Sequence, residues 1–195
     1  MPNPLIEIAL RRQRPGSGSR LVGPGPIAFD MNLRAMISVP FAIIGGQATK
    51  AYMPPRSTLD WDVLVHRDDL DQAQADLQQG HAHTFASLTI PGFTCVLGGG
   101  ELLDVIAGEA EWVADALAHP NHDETGQPLL ALPWLILLKL QAARVQDLAD
   151  VSRMLAWAKA ADLDLARSAI GNFLPDASAD FESLLELGRL ERKGK

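Results

Sequence analysis

The segment Leu59-Asp60-Trp61-Asp62-Val63-Leu64-Val65 constrains this chain more than any other stretch. Its β-forming residues predict a strand over 59–65 that runs into a turn at 66–69. Side chains alternate along a strand, so Asp60 and Asp62 share one face and Trp61 takes the other. Two carboxylates that close repel unless a cation lies between them. A hard divalent ion such as Mg2+ suits carboxylate oxygens and keeps positions open for water or phosphate oxygens. Asp104 stands in Leu-Leu-Asp-Val-Ile, where a lone carboxylate in an apolar strand would be expensive to bury unpaired. If the two strands are neighbours, three carboxylates converge and can hold one or two Mg2+, as phosphoryl transfer requires.

Upstream, the apolar run 41–44 reads as a buried strand closed by Gly45-Gly46, and 47–53 as one or two helical turns stopped by Pro54-Pro55. A strand-to-helix turn built from glycines leaves backbone N–H groups open to phosphate. Lys50, Arg56, Ser57 and Thr58 add cationic and hydroxyl donors to the same stretch.

Elsewhere the spacing predicts a short helix over 30–37 with Asp30 as N-cap, and an amphipathic helix over 69–79. Strands over 93–97 and 101–106 are joined by Gly98-Gly99-Gly100, a hairpin signal. A short helix follows over 111–117, then a loop over 119–128. His119, His122, Asp123 and Glu124 lie in that loop among turn formers and read as surface, as does His81-Ala-His83. A long helical signal covers 129–160, interrupted near Pro133, and a last helix covers 180–190. Residues 1–28 hold so many Pro and Gly that only a short strand at 5–10 is expected. The chain therefore divides into an N-terminal arm (1–28), an α/β core (29–127) and a C-terminal helical region (128–195).

The 195 residues are 47% hydrophobic and 21% charged, values of a globular chain. A formal charge of −7 repels phosphate polymers and disfavours bulk non-specific nucleic-acid binding. Cys95 is alone, so neither a disulfide nor a cysteine zinc site forms within the chain. The longest apolar run, 129–138, contains Pro133 and falls short of the ~18 residues of a membrane span. The N-terminal charge order is the reverse of a signal peptide. A soluble, cytoplasmic protein without a membrane partner is expected.

Gly-Gly-Gln-Ala, then Arg-Ser-Thr-Leu-Asp-Trp-Asp, then Leu-Leu-Asp-Val-Ile resembles the polymerase-β-like nucleotidyltransferase superfamily. It is most similar to the small bacterial branch of AbiEii-type toxins, with the pattern G-G-x-A, R-x-T-x-D-x-D and a later D. The segment Leu-Lys-Leu-Gln-Ala-Ala-Arg-Val-Gln-Asp-Leu-Ala-Asp resembles that branch's helix, and the likeness spans about 38–155. It implies a minimal nucleotidyltransferase fold, a mixed β-sheet flanked by helices with a C-terminal helical appendage. It implies Asp60, Asp62 and Asp104 as metal ligands and catalytic acids, with Mg2+, or Mn2+ in its place, and an NTP substrate. Gly45, Gly46, Lys50, Arg56 and Thr58 would bind nucleotide. Lys139 would reach the triphosphate, oriented by Asp147 and Asp150 on the same helix, since an eight-residue spacing puts Lys139 and Asp147 on one face.

Three functions stay open on the residues alone. The first is transfer of a nucleoside monophosphate to an acceptor hydroxyl on RNA, protein or a small molecule. The second is a non-catalytic nucleotide-binding or toxin-antitoxin-like module acting through a protein partner. The third is a small-molecule transferase of the antibiotic-resistance kind.

Overall fold

The computed structural model describes residues 29–55 and 58–193. Of these, 29–51, 55 and 58–131 form one compact unit, and 132–193 with 52–54 form another. The strand expected at 5–10 and the N-terminal arm lie outside the described residues.

The first unit is built on a seven-stranded mixed sheet. In chain order its strands are β1 (Phe41–Ile43), β2 (Trp61–His66), β3 (Ala82–Ser87), β4 (Gly92–Leu97), β5 (Leu102–Gly108), β6 (Asn121–His122) and β7 (Pro128–Leu129). They lie side by side as β3-β4-β5-β2-β1-β7-β6. β2 runs parallel to β5 and antiparallel to β1. Three helices accompany the sheet: α1 (Gly45–Thr49), α2 (Leu70–Gln78) and α3 (Glu111–Ala118). The fold is α/β, a mixed sheet flanked by helices, followed by a helical C-terminal region.

Alternation decides what the sheet buries. Trp61, Val63 and Val65 of β2 share a face with Leu103 and Val105 of β5 and with Phe93 and Cys95 of β4, all buried. The opposite face carries Asp62, Leu64, Asp104 and Thr94. At its far end that second face is covered by α3, because a Cβ on Gly108 would meet Val113 Cγ2 at 2.8 Å and Leu64 Cδ1 at 3.2 Å. The acid-bearing end of the face is half-buried.

The second unit holds α4 (Leu132–Ala142), α5 (Val145–Trp157), α6 (Ala160–Phe173) and α7 (Ser178–Lys193). α4 packs on α5 and α6, and α5 packs on α7. The approach of α5 and α7 is close: a Cβ on Gly188 would stand 2.1 Å from the Ser152 carbonyl oxygen. Arg192 lies over the Trp157 ring and donates to the Ala156 carbonyl at 2.8 Å, satisfying the end of α5. No helix among the described residues is long and apolar enough to cross a membrane.

Several expected elements come out differently. Within the helical signal over 129–160 the helix starts afresh at Leu132, beside Pro133 as expected, and a further break that was not expected comes where Ala143 takes φ +49. α6 was not expected at all, although Leu163, Ala166 and Ile170 recur at helical spacing and are buried. The helix over 30–37 is only a 3-10 turn, Leu33–Ala35, with Asn32 rather than Asp30 at its N-cap position and no side-chain cap. Its polar groups pair elsewhere. Phe29 N–H donates to Asp123 Oδ2, Arg34 Nη1 donates to the Gly126 carbonyl, and Gln127 Nε2 donates to Asn32 Oδ1. β3 was missed because its residues are mostly exposed and its pairing with β4 is irregular between His83 and Ala86.

Candidate active site

Asp62 and Asp104 are direct register partners on the parallel pair β2 and β5. Thr94 on β4 is the next partner in the same row. Adjacent strands lie about 4.8 Å apart, and residues in one row point to one face, so the two carboxylates are neighbours. Like charges opposed across a sheet are destabilising unless a cation compensates them.

Gly45 opens α1 directly against Asp62. It has φ +60, and a Cβ built on it would stand 1.9 Å from Asp62 Oδ2 and 2.6 Å from its carboxyl carbon. Both the left-handed backbone and the missing side chain are therefore required for Asp62 to sit where it does. Ile44 N–H donates to the Asp62 carbonyl at 2.8 Å and fastens the turn to β2. Gly46 plays the same part for Thr58, whose Oγ1 would lie 2.7 Å from an added Cβ. Thr49 Oγ1 donates to the Gly46 carbonyl at 2.7 Å.

Asp60 lies one residue before β2 and is exposed, so strand alternation does not set the direction of its side chain. Its backbone is held through a polar chain in which Gln47 Nε2 donates to the Asp60 carbonyl and Lys50 Nζ donates to Gln47 Oε1 at 2.5 Å. Gln47, buried at 4% exposure, and Thr94 belong to this neighbourhood and had no expected role. Counting back through the 98–100 turn would have placed Thr94 in the acid row. Among the described residues no group of three or more His, Cys, Asp or Glu side chains is gathered to hold a metal. Arg56 lies outside the described residues.

Lys139 and Asp147 belong to the helical unit. Lys139, on α4, donates to Asp147 Oδ1 at 2.8 Å and to Asp150 Oδ2 at 2.9 Å, both on α5. The three are therefore not on one helix, and with side chains 6%, 3% and 0% exposed they are not an ordinary surface charge pair. Arg144 adds a second cation, donating to Asp147 Oδ2. Burial by itself would raise the Asp147 carboxyl, but hydrogen bonds from Arg144 and Lys139 carry it below its ordinary value.

The acidic and histidine loop is structural. Asp123 accepts from the backbone N–H of Phe29 (2.9 Å), Thr125 (2.9 Å) and Gln127 (2.6 Å), which hold it ionised against the opposing effect of burial. His119 pairs with Asp115 one helical turn earlier.

No family model and no curated protein matches this chain. Solved structures similar to it share less than a fifth of its residues. One is the solution structure of the antibiotic-resistance factor ANT(2'')-Ia, 18% identical over 80% of this chain and 85% of that one, with TM-score 0.42. Another is the crystal structure of ANT(2'')-Ia in complex with adenylyl-2''-tobramycin, 16% identical over 79% and 89%, TM-score 0.40. A third is the Thermotoga maritima CCA-adding enzyme complexed with tRNA, 11% identical over 68% of this chain and 38% of that one, TM-score 0.35.

Proposed function

We propose that this protein transfers a nucleoside monophosphate from an NTP to an acceptor hydroxyl, with pyrophosphate leaving and Mg2+, or Mn2+ in its place, required. The observation that carries the reading is the register pair Asp62 and Asp104, with Asp62 packed against the side-chain-free Gly45. Asp62 and Asp104 are the residues that would hold the ion; Asp60, exposed and one residue before β2, is not gathered with them into a group of three. The donor set fits it: the ligands are hard carboxylate oxygens, from two adjacent like charges. Bound there, Mg2+ would supply neutralisation of the charge on the transferred phosphoryl group.

The protein's own residues do the rest. Gly45 and Gly46 let the backbone approach the nucleotide phosphates, with Lys50, Arg56 and Thr58 as further donors. Asp104 accepts the proton of the acceptor hydroxyl as general base. Lys139 gives two of its three donors to buried carboxylates, and its side chain is only 6% exposed. We therefore assign Lys139 and Asp147 to holding α4 against α5.

The test is a thermal-shift panel of ATP, GTP, CTP and UTP with and without Mg2+, on the native chain and Asp62→Asn, with pyrophosphate release followed in parallel. A Mg2+-dependent rise for one nucleotide that disappears in the variant is expected, because a ligand binding the folded state raises its stability. No rise with any of the four would overturn the reading in favour of a scaffold acting through a protein partner.

A further inference from the structure

The face of β2 opposite the acids opens on a cavity of about 570 Å3, which the nucleotidyl-transfer reading leaves unused. Trp61 reaches it because it alternates with Asp62 along β2. The cavity's apolar lining is Trp61, Leu97, Met31 and Met36. Two of these are methionines, which adapt their shape to a ligand at little cost. Gly98 leaves one side open, since a Cβ built there would meet nothing nearer than the His81 carbonyl at 3.9 Å. Among the described residues the carboxylates lining the cavity are Asp30 and Glu101, both exposed, His81 is the one basic side chain there, and no Lys or Arg lines it.

An apolar wall of this kind beside two exposed carboxylates selects a ligand with an apolar or aromatic body and a cationic head. An organic anion of the same shape would lose its hydration and meet repulsion. We propose that this cavity is a binding site for a small organic cation, a primary amine or guanidinium carried on an apolar body. The site is separate from the acid row and does not depend on what that row does.

The experiment is calorimetric titration of the full chain with 2-phenylethylamine and with 3-phenylpropionate, which share a body and differ in charge. The amine is expected to bind saturably at least tenfold tighter than the acid. Binding falls at least fivefold in Glu101→Gln, is abolished in Gly98→Phe, whose ring would occupy the cavity, and is unchanged in Asp62→Asn. Equal binding of amine and acid overturns the proposal, as does the absence of saturable amine binding. Amine binding that survives Gly98→Phe, or that Asp62→Asn removes, places the amine elsewhere and overturns it too. If Gly98→Phe does not fold, the exposed Glu101→Gln carries the test. The NTP panel reads the other face, so either proposal can fail alone.

Discussion

Gly45 and Asp62 are packed so closely that a single added carbon on the glycine would overlap the carboxylate, at 1.9 Å from Oδ2. Placing an L side chain at φ +60 alone costs about 1–2 kcal/mol. Gly45→Ala should therefore lower stability by at least that much and displace Asp62. Chemical denaturation measures the first effect. Loss of any Mg2+-dependent nucleotide shift, while Gly80→Ala at another left-handed glycine keeps it, measures the second.

Asp62→Asn and Asp104→Asn keep shape and remove charge from a half-buried row. Each should leave the folded state intact, with a transition as cooperative as the native one. Each should lower nucleotidyl transfer by at least about a hundredfold, the equivalent of about 3 kcal/mol of lost charge stabilisation. Rates for both variants that stay within tenfold of native would remove these carboxylates from the chemistry.

Lys139→Met would leave Asp147 and Asp150 buried without their shared cation. Removing one partner of a buried ion pair costs about 3–5 kcal/mol, and equilibrium urea denaturation should show a loss of that size. A mild loss combined with abolished nucleotide binding would instead give Lys139 the triphosphate role.

The same network sets an acid limit. Asp147 is held below its ordinary value of 3.8, so as pH falls the unfolded chain takes up this proton first. The stability it contributes is complete above about pH 5 and drains away as pH drops through and below about 4. Native-chain stability followed from pH 7 to pH 2 should show this decline, and Asp147→Asn should flatten part of it.

Gly188→Ala would push a methyl against the Ser152 carbonyl, 2.1 Å away, where α5 and α7 cross. Overpacking of this kind costs about 1–3 kcal/mol. The helical unit should lose stability by that amount while NTP binding at the sheet, if present, stays as in the native chain. Cys95 offers an independent probe of the sheet. Burial, with a smaller contribution from Asp104, pushes its thiol up to about 11, so it should resist thiol reagents at pH 8 until the sheet unfolds.

Local physics explains what could be read in advance. β2 and the β4–β5 hairpin were legible because alternation and a glycine turn act over a few residues. α2 and α3 were legible from their helical spacing. The break between α4 and α5 was not, since Ala143 occupies a left-handed position that glycine usually marks. β3 was hidden for a related reason, as a mostly exposed edge strand lacks the apolar signal that betrays a buried one.

The sequence by itself determined that a strand runs on from Asp62, though it placed Asp60 inside that strand as well, that a glycine turn stands upstream, and that Asp104 interrupts another apolar strand. Only the tertiary structure decided that β2 and β5 are parallel neighbours in the register that pairs Asp62 with Asp104. It also decided that Lys139 meets two carboxylates from a different helix. Propensity and periodicity are properties of neighbouring residues. Strand order, register and the burial of charge are settled by which distant surfaces exclude water together, and no local pattern encodes that choice.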